Sequence, residues 1–309
     1  MSLDHYSGLM NRCAEIGPLP TIVVHPCEAN ALRGALEATQ AGLITPILVG
    51  PANKISATAR EAGLCIDGVI VEDVPHSHAA AERGVALIRE GRGDLLMKGS
   101  LHSDELLHAV ADRETGLRTE RRLSHVFAMS VPNYHKTLFI TDAAVNIFPG
   151  LEDKADICRN AVQMLHALGI SQPKVALLSA VETVTAKLPS TLEAAALVVM
   201  SLRGQIEGAL LDGPLAFDNA INAEAARVKG IHSTVAGDPD ILLVPDMEAG
   251  NILAKQLIYL AGAEAAGIVL GARVPIVFTS RADSPRARIA SCGLAVLLAE
   301  ARRNCLGGA

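Results

Sequence analysis

The chain has 309 residues, with 27 Lys and Arg against 33 Asp and Glu, which gives a formal net charge of −6. Half of its residues are hydrophobic, only 3% are aromatic, and none is tryptophan. This composition lacks the basic stripe and the aromatic platforms of nucleic-acid-binding proteins, and its high apolar content excludes a disordered chain.

Short β-branched runs alternate with Ala-rich helical stretches along the chain. The predicted strands are 21–25, 46–50, 68–71, 94–98, 136–141, 174–179, 207–212, 241–244 and 275–279. The predicted helices are 28–42, 76–90, 102–111, 153–169, 187–202, 218–228, 248–261 and 285–303. Continuous apolar strands that alternate with helices indicate a mostly parallel sheet covered on both faces.

The chain is longer than one open-sheet domain usually is, so we expect two doubly wound α/β domains. The turn signal Pro149-Gly150 ends an apolar run and places a boundary there. The predicted first domain is 1–148, completed by a C-terminal helix over 285–309, and the predicted second domain is 149–284.

The location expected from the sequence is the cytoplasm. No uninterrupted apolar run reaches the about 18 residues of a membrane span, and residues 1–15 lack the basic and apolar regions of a signal peptide. The six cysteines are scattered and form no C-x-x-C pair, which is typical of reduced thiols. We therefore expect no membrane partner.

The most informative segment follows the last predicted strand. Asp283 or Ser284 is a good helix N-cap, and Pro285 suits the first helical turn. This places Ser280 and Arg281 beside free helix N–H groups, where the positive end of the helix dipole favours an anion. A guanidinium at this place can grip a phosphate with two hydrogen bonds.

A carboxylate is also available in this segment. Asp283 is the only acid between Glu264 and Glu300, so it is the only candidate base in the region. The local features are equally compatible with an ordinary capped turn that carries a surface arginine.

Four other predicted strand ends carry polar side chains. Ligands of open α/β sheets bind at the carboxyl ends of strands, so a shared cleft is favoured over capping alone. The candidates are Lys98 and His102; Asp142 and Asn146; Asp218 and Asn219; and Glu248, Asn251 and Lys255, three residues that share one helical face.

Several well-known motifs are absent from the sequence. It contains no Gly-rich loop ending in Lys-Ser/Thr, no G-x-G-x-x-G after a strand, no H-E-x-x-H and no G-x-S-x-G. We therefore expect neither a nucleotide-binding loop nor a metal site.

Six stretches at these strand ends resemble the phosphate acetyltransferase and phosphate butyryltransferase family. They are K-G-S-L-H (98–102), R-L-S-H-V-F (122–127), T-D-A-A-V-N (141–146), D-G-P-L-A-F-D-N-A (212–220), P-D-M-E-A-G-N (245–251) and V-P-I-V-F-T-S-R-A-D (274–283). The resemblance implies two α/β domains with a cleft between them, a fold similar to that of isocitrate and isopropylmalate dehydrogenases. It also implies a homodimer without a permanently bound cofactor.

The resemblance further implies reversible acyl transfer between coenzyme A and inorganic phosphate. Ser280 and Arg281, with Thr279 beside them, would hold the phosphate and the developing carbonyl charge. The acid of the acetyl branch stands several residues further on, near Ala287, so Asp283 is the substitute that we expect to take the thiol proton.

The resemblance places a second group of residues near the phosphates of coenzyme A. That group consists of Lys98, Arg122, Ser124 and His125.

Two other functions stay open at this point. One is a metal- and NAD-dependent dehydrogenase of the same fold, and the other is a non-catalytic acyl-CoA-binding partner. The acyl-chain length, the direction of the reaction and the identity of the base also stay open.

Overall fold

The computed structural model describes residues 3–280 and 283–307. Residue contacts divide the chain into two compact units. The terminal unit combines residues 3–123 with residues 266–307, and the central unit comprises Ser124–Ala265. Each unit is an α/β structure with its own hydrophobic core.

The terminal unit contains a sheet in the order β3-β2-β1-β4-β11-β10, in which only β10 runs antiparallel to its neighbour. Numbered along the whole chain, its elements are α1 (Leu3–Ile16), β1 (Leu19–Val24), α2 (Ala29–Gln40), β2 (Ile44–Gly50), α3 (Ala52–Glu61), β3 (Ile70–Asp73), α4 (Ser77–Arg89), β4 (Leu95–Lys98), α5 (Ser103–Ala111), β10 (Glu264–Leu270), β11 (Ile276–Val277) and α11 (Pro285–Gly307).

Helices pack closely on this sheet. Helix α4 lies so near β1 that a Cβ at Gly84 would be 2.8 Å from Val24 Cγ2. Helix α11 contacts α1, α2, β4 and β11, and its residues from Leu294 to Ala299 are almost fully buried. The first turn of α11 is therefore held in place by the later turns of the same helix, which are packed in the core.

The central unit contains a sheet in the order β5-β6-β9-β7-β8, in which only β5 and β6 pair antiparallel. Its elements are β5 (Ser124–Ser130), β6 (Leu138–Thr141), α6 (Leu151–Ala167), β7 (Lys174–Leu178), α7 (Pro189–Leu202), β8 (Leu210–Leu215), α8 (Phe217–Ile221), α9 (Ala223–Val228), β9 (Ile241–Leu243) and α10 (Met247–Ala261). Its core includes Ile140, Ala176, Leu242 and Ala254.

The contacts place the unit boundaries at 123/124 and 265/266, whereas the sequence predicted them at 148/149 and 284/285. The first difference arises because β6 pairs with β9 of the central unit and β5 pairs with β6, so both strands belong to the central sheet. The second arises because β11 pairs with β4 of the terminal unit and β10 pairs with β11, so both strands belong to the terminal sheet.

The predicted alternation of strands and helices in a mostly parallel α/β fold is confirmed. Four elements were not predicted: α1, α3, β5 and β10. Strand β8 lies three residues beyond its predicted start. The predicted helix 218–228 is two helices, because Asn222 is extended and its side chain caps α9 at the Ala225 N–H, 2.9 Å away.

Within the described residues, none of the helices combines the length and the apolar character required to span a bilayer.

Candidate active site

The turn that joins β11 to α11 is closed by its own side chains. The backbone N–H of Ser280 donates to the Asp283 carboxylate at 2.7 Å, and the N–H of Asp283 donates to the Ser280 carbonyl at 3.2 Å. The Ser284 hydroxyl accepts from the N–H of Ala287 at 3.1 Å, so it caps the first turn of α11. Arg281, the predicted phosphate-binding arginine, lies outside the described residues, as does Ala282.

The environment of Asp283 favours a carboxyl that accepts protons more readily than an ordinary aspartate. Burial raises its pKa above the usual value of 3.8, while the hydrogen bond from Ser280 and the charges of Arg288 and Lys98 act in the opposite direction. A raised pKa makes a carboxylate a better general base. The role of Asp283 as the base stays a prediction.

A small cavity of about 20 Å³ lies beside this turn in the terminal unit. The predicted residues Lys98, Thr279 and Ser280 line it, together with Glu28 and Arg288. A cavity of this volume holds about one water-sized group. Two cations, one carboxylate and three hydroxyl residues, with Ser100 as the third, thus line a space that one oxygen atom would fill.

Lys98 reaches this cavity from the end of β4. Its side chain is buried, and its ammonium lies 5.8 Å from the centre of the Phe278 ring and 3.4 Å from the Gly99 carbonyl. Position 99 requires glycine because the backbone of β1 lies very close to it: a Cβ there would be 2.3 Å from the Val24 carbonyl oxygen. The Ser100 hydroxyl then ties this loop to β1 by donating to the His25 carbonyl at 2.7 Å.

Two further predicted residues of the terminal unit are exposed to solvent, and neither lines this cavity. His102 is the N-cap residue of α5, and its side chain makes no capping hydrogen bond. Arg122 precedes β5 and is exposed. The predicted contact of Arg122 with coenzyme A and the predicted place of His102 in a ligand cleft stay predictions.

Four predicted residues of the central unit are buried, and hydrogen bonds within the protein engage the side chains of Ser124, Asp142 and Asn146. The Ser124 hydroxyl accepts from Asn160 Nδ2 at 2.9 Å. Burial lowers the pKa of His125 to about 3, so its ring is neutral near pH 7. The Asp142 carboxylate accepts from Asn146 Nδ2 at 2.5 Å and also from the Asn146 backbone N–H at 3.2 Å. The motifs that contain these residues thus include structural positions.

The Asp142 carboxyl has a raised pKa because it is buried, although hydrogen bonds from the backbone N–H groups of Ala144 and Val145 oppose that effect. Helix α10 begins close to the same loop, since Asn251 Nδ2 donates to the Ala143 carbonyl at 3.1 Å. The structure therefore brings Asp142, Asn146 and Asn251 together.

The other predicted residues of the central unit lie nearer the surface, with one exception. Asp218 is exposed and forms an ion pair with Lys229 at 3.0 Å, whereas Asn219 is buried and donates to Glu182 at 3.2 Å. Glu248 and Lys255 are exposed on α10. The predicted common face of α10 is therefore only partly buried.

The sequence analysis did not identify Arg288 as a site residue. The sequence feature that could have identified it is its spacing from Ser284. Arg288 lies one helical turn beyond the cap, where its backbone N–H donates to the Ser284 carbonyl at 3.1 Å. No group of three or more His, Cys, Asp or Glu side chains arranged to hold a metal ion occurs among the residues that the structure describes.

A family model described as Phosphate acetyl/butaryl transferase matches residues 77–296, more than two thirds of the chain. The chain belongs to the phosphate acetyl/butyryl transferase family. The matched region contains Lys98, the 280–283 turn and Arg288. The resemblance found at the strand ends is therefore confirmed.

Curated members of the phosphate acetyl/butyryl transferase family resemble the chain over nearly its whole length. A phosphate acetyltransferase of Rhizobium meliloti is 62% identical over 298 residues, which cover 96% of this chain and 94% of that protein. A phosphate butyryltransferase of Clostridium acetobutylicum is 41% identical over 268 residues, which cover 87% of this chain and 89% of that protein.

Solved structures agree with this family. A branched-chain phosphotransacylase from Enterococcus faecalis V583 superimposes with a TM-score of 0.78 at 28% identity, covering 91% of this chain and 99% of that one. A 4-hydroxythreonine-4-phosphate dehydrogenase from Burkholderia phymatum gives 0.52 at 13% identity, covering 91% and 98%. The second likeness concerns the fold alone and agrees with the predicted dehydrogenase-like fold class.

Proposed function

We propose that this protein transfers a short acyl group, acetyl in the first instance, reversibly between coenzyme A and inorganic phosphate. The observation that carries the proposal is the 62% identity to a phosphate acetyltransferase over nearly the full length of both chains. The cavity lined by Lys98, Ser280 and Arg288, near the partly buried Asp283 carboxyl, supports the proposal, because the reaction needs cations for an anion and a base.

In the direction that forms the thioester, the Asp283 carboxylate takes the proton of the coenzyme A thiol. The sulfur then bonds to the carbonyl carbon of the acyl phosphate, and the carbon–oxygen bond to phosphate breaks with its electrons left on the phosphate. A thiol with a pKa near 8.5 is mostly protonated at pH 7, so a positioned base raises the reactive fraction.

Ser280 and Arg281 would stabilise the charge that develops on the carbonyl oxygen and on the departing phosphate. Donors placed where charge develops stabilise the transition state more than the ground state. Both substrates are held at once, so orientation replaces a covalent enzyme intermediate.

The proposal is tested by the release of free thiol from acyl-CoAs of two to six carbons, with and without phosphate and without added metal. Thiol release that requires phosphate and is fastest with acetyl-CoA is the expected result. Release that does not depend on phosphate would contradict it. Reduction of NAD with a divalent metal would identify the dehydrogenase alternative, and coenzyme A binding without turnover would identify the non-catalytic one.

We also propose that the protein is a cytoplasmic homodimer formed through its central unit. All but one of the large exposed hydrophobic side chains among the described residues lie in that unit. On α7, Leu202 is 79% exposed, and on α10, Leu260 is 83% exposed. Concentrated apolar exposure is typical of protein interfaces, and a second copy is the occupant that the family resemblance implies.

The dimer is tested by light scattering of the purified protein at micromolar concentration. We expect twice the chain mass of 32.3 kDa, and we expect the double substitution Leu202→Glu and Leu260→Glu to halve the measured mass because it buries charge in the contact. The substitution Ile70→Glu, at the exposed hydrophobic residue of the terminal unit, serves as the control. A wild-type protein of 32.3 kDa would refute the dimer.

A further inference from the structure

Arg288 is a buried cation whose hydrogen bonding is incomplete. Its side chain is 6% exposed, and one terminal nitrogen donates to the Asp283 carbonyl at 2.7 Å. Its buried Nε has no hydrogen-bond partner, and no carboxylate within the described part of the chain forms an ion pair with it. A buried guanidinium is costly unless its donors are satisfied, so this arrangement indicates a missing anionic ligand.

Arg288 lines the cavity of about 20 Å³ together with Lys98, Thr279 and Ser280. Both cations are more than nine-tenths buried, so solvent screens their charges weakly. Glu28 also lines the cavity but is exposed. Among the residues that line the cavity, the buried charges are therefore the two cations. The Asp283 carboxyl stands near them, and both cations act to lower its pKa.

Space for Arg288 is provided by a glycine on the facing helix. A Cβ at Gly34 of α2 would lie 2.8 Å from Arg288 Cδ and 3.0 Å from its Nε. Helix α2 thus admits the arginine stem only because residue 34 has no side chain. The position of the guanidinium is fixed by the packing of α2 against α11.

We propose that Arg288 is a further phosphate-binding residue, whose guanidinium holds an oxygen of the phosphate substrate at the cavity that it lines with Lys98. The inference rests on the proposed acyl transfer at this site. A cavity for one water-sized group accommodates one oxygen of a tetrahedral anion, and the remaining oxygens lie outside it, beside Ser280. Arg288 contacts substrate and not only protein.

The substitution Arg288→Met keeps most of the side-chain volume and removes the charge and the donors. We expect the KM for phosphate to rise at least tenfold, while the KM for acetyl-CoA changes less than threefold. The control is Arg286→Met, two residues earlier on α11, where the guanidinium lies 4.4 Å from the Tyr6 ring and does not line the cavity. An unchanged KM for phosphate in Arg288→Met would overturn the inference.

Binding of phosphate alone separates this inference from the proposed function. We expect phosphate to raise the Tm of the wild-type protein and of Arg286→Met above the Tm in chloride at equal ionic strength, because a ligand stabilises the state that it binds. We expect no such rise in Arg288→Met. If phosphate shifts the wild-type Tm but no acyl-CoA is turned over, the proposed function fails and the anion site stands. Equal shifts in wild type and Arg288→Met refute the site.

Two milder variants cover the case in which Arg288→Met fails to fold. Arg288→Lys keeps the charge but loses the planar guanidinium, so we expect its KM for phosphate to lie between those of the wild type and of Arg288→Met. Gly34→Ala displaces the guanidinium without altering it chemically, and we expect the same selective rise in the KM for phosphate. Wild-type KM values in both variants would overturn the inference.

Discussion

Replacing Arg281 with alanine is expected to lower phosphate-dependent turnover by about two to three orders of magnitude, with the fold intact. The expectation rests on its place in the sequence, directly after Ser280 and just before α11. A cationic donor beside developing phosphate and carbonyl charge acts mainly in the transition state, and losing such a donor typically costs about 10²–10³ in rate. Steady-state rates with acetyl-CoA and butyryl-CoA measure the effect.

The matched control is Arg273→Ala, which removes an exposed arginine of the same unit. We expect it to retain wild-type activity, and we expect the circular dichroism and the Tm of both variants to match those of the wild type. Near-normal turnover of Arg281→Ala with both acyl-CoAs would reject the assignment of Arg281 to the transferred phosphate.

Replacing Asp283 with asparagine is expected to slow the attack of coenzyme A on acyl phosphate by at least about 10², the usual lower bound for a positioned general base. The amide oxygen of asparagine still accepts the Ser280 N–H, so the turn is preserved and the loss is one of proton transfer. The measurement is the rate of thioester formation from acetyl phosphate across pH.

The pH profile identifies the acceptor. Burial raises the pKa of Asp283 above 3.8, and only its ionised form accepts a proton, so the wild-type rate falls as the pH drops through that raised value. In Asp283→Asn this acidic limb should disappear. If Glu28→Gln abolishes the limb and Asp283→Asn does not, the proton acceptor is Glu28, the acid that lines the cavity.

The parallel strands and most of the helices between them were predictable because each is a continuous apolar run or a periodic one. Helix α3 was not, since only Ile55 and Ala59 of its ten residues are buried. Strands β5 and β10 were not, since each pairs antiparallel with the strand that follows it and no helical segment separates the two. The cap of α11 at Ser284 was predictable, because hydroxyl and Pro residues at a helix start have a local cause.

The candidate site was only partly predictable from the sequence. Its motifs identified the turn and Lys98, but a motif does not distinguish a side chain that meets a ligand from one that meets its own backbone. Ser124 and Asp142 prove to be buried among internal partners. Arg288 escaped notice because its importance depends on the tertiary contact with Gly34, which no local pattern reveals.

Asp283 has two roles in the proposed mechanism, since its carboxylate accepts both the thiol proton and the hydrogen bond that closes the turn. Its carboxylate anchors the amide of Ser280, and hydrogen bonds to a charged acceptor are roughly twice as strong as those to a neutral one. When the carboxyl gains a proton, its hydrogen bond with the Ser280 N–H therefore becomes weaker. In the mechanism that we propose, the hydrogen bond between Asp283 and Ser280 is therefore weakest at the step in which phosphate leaves.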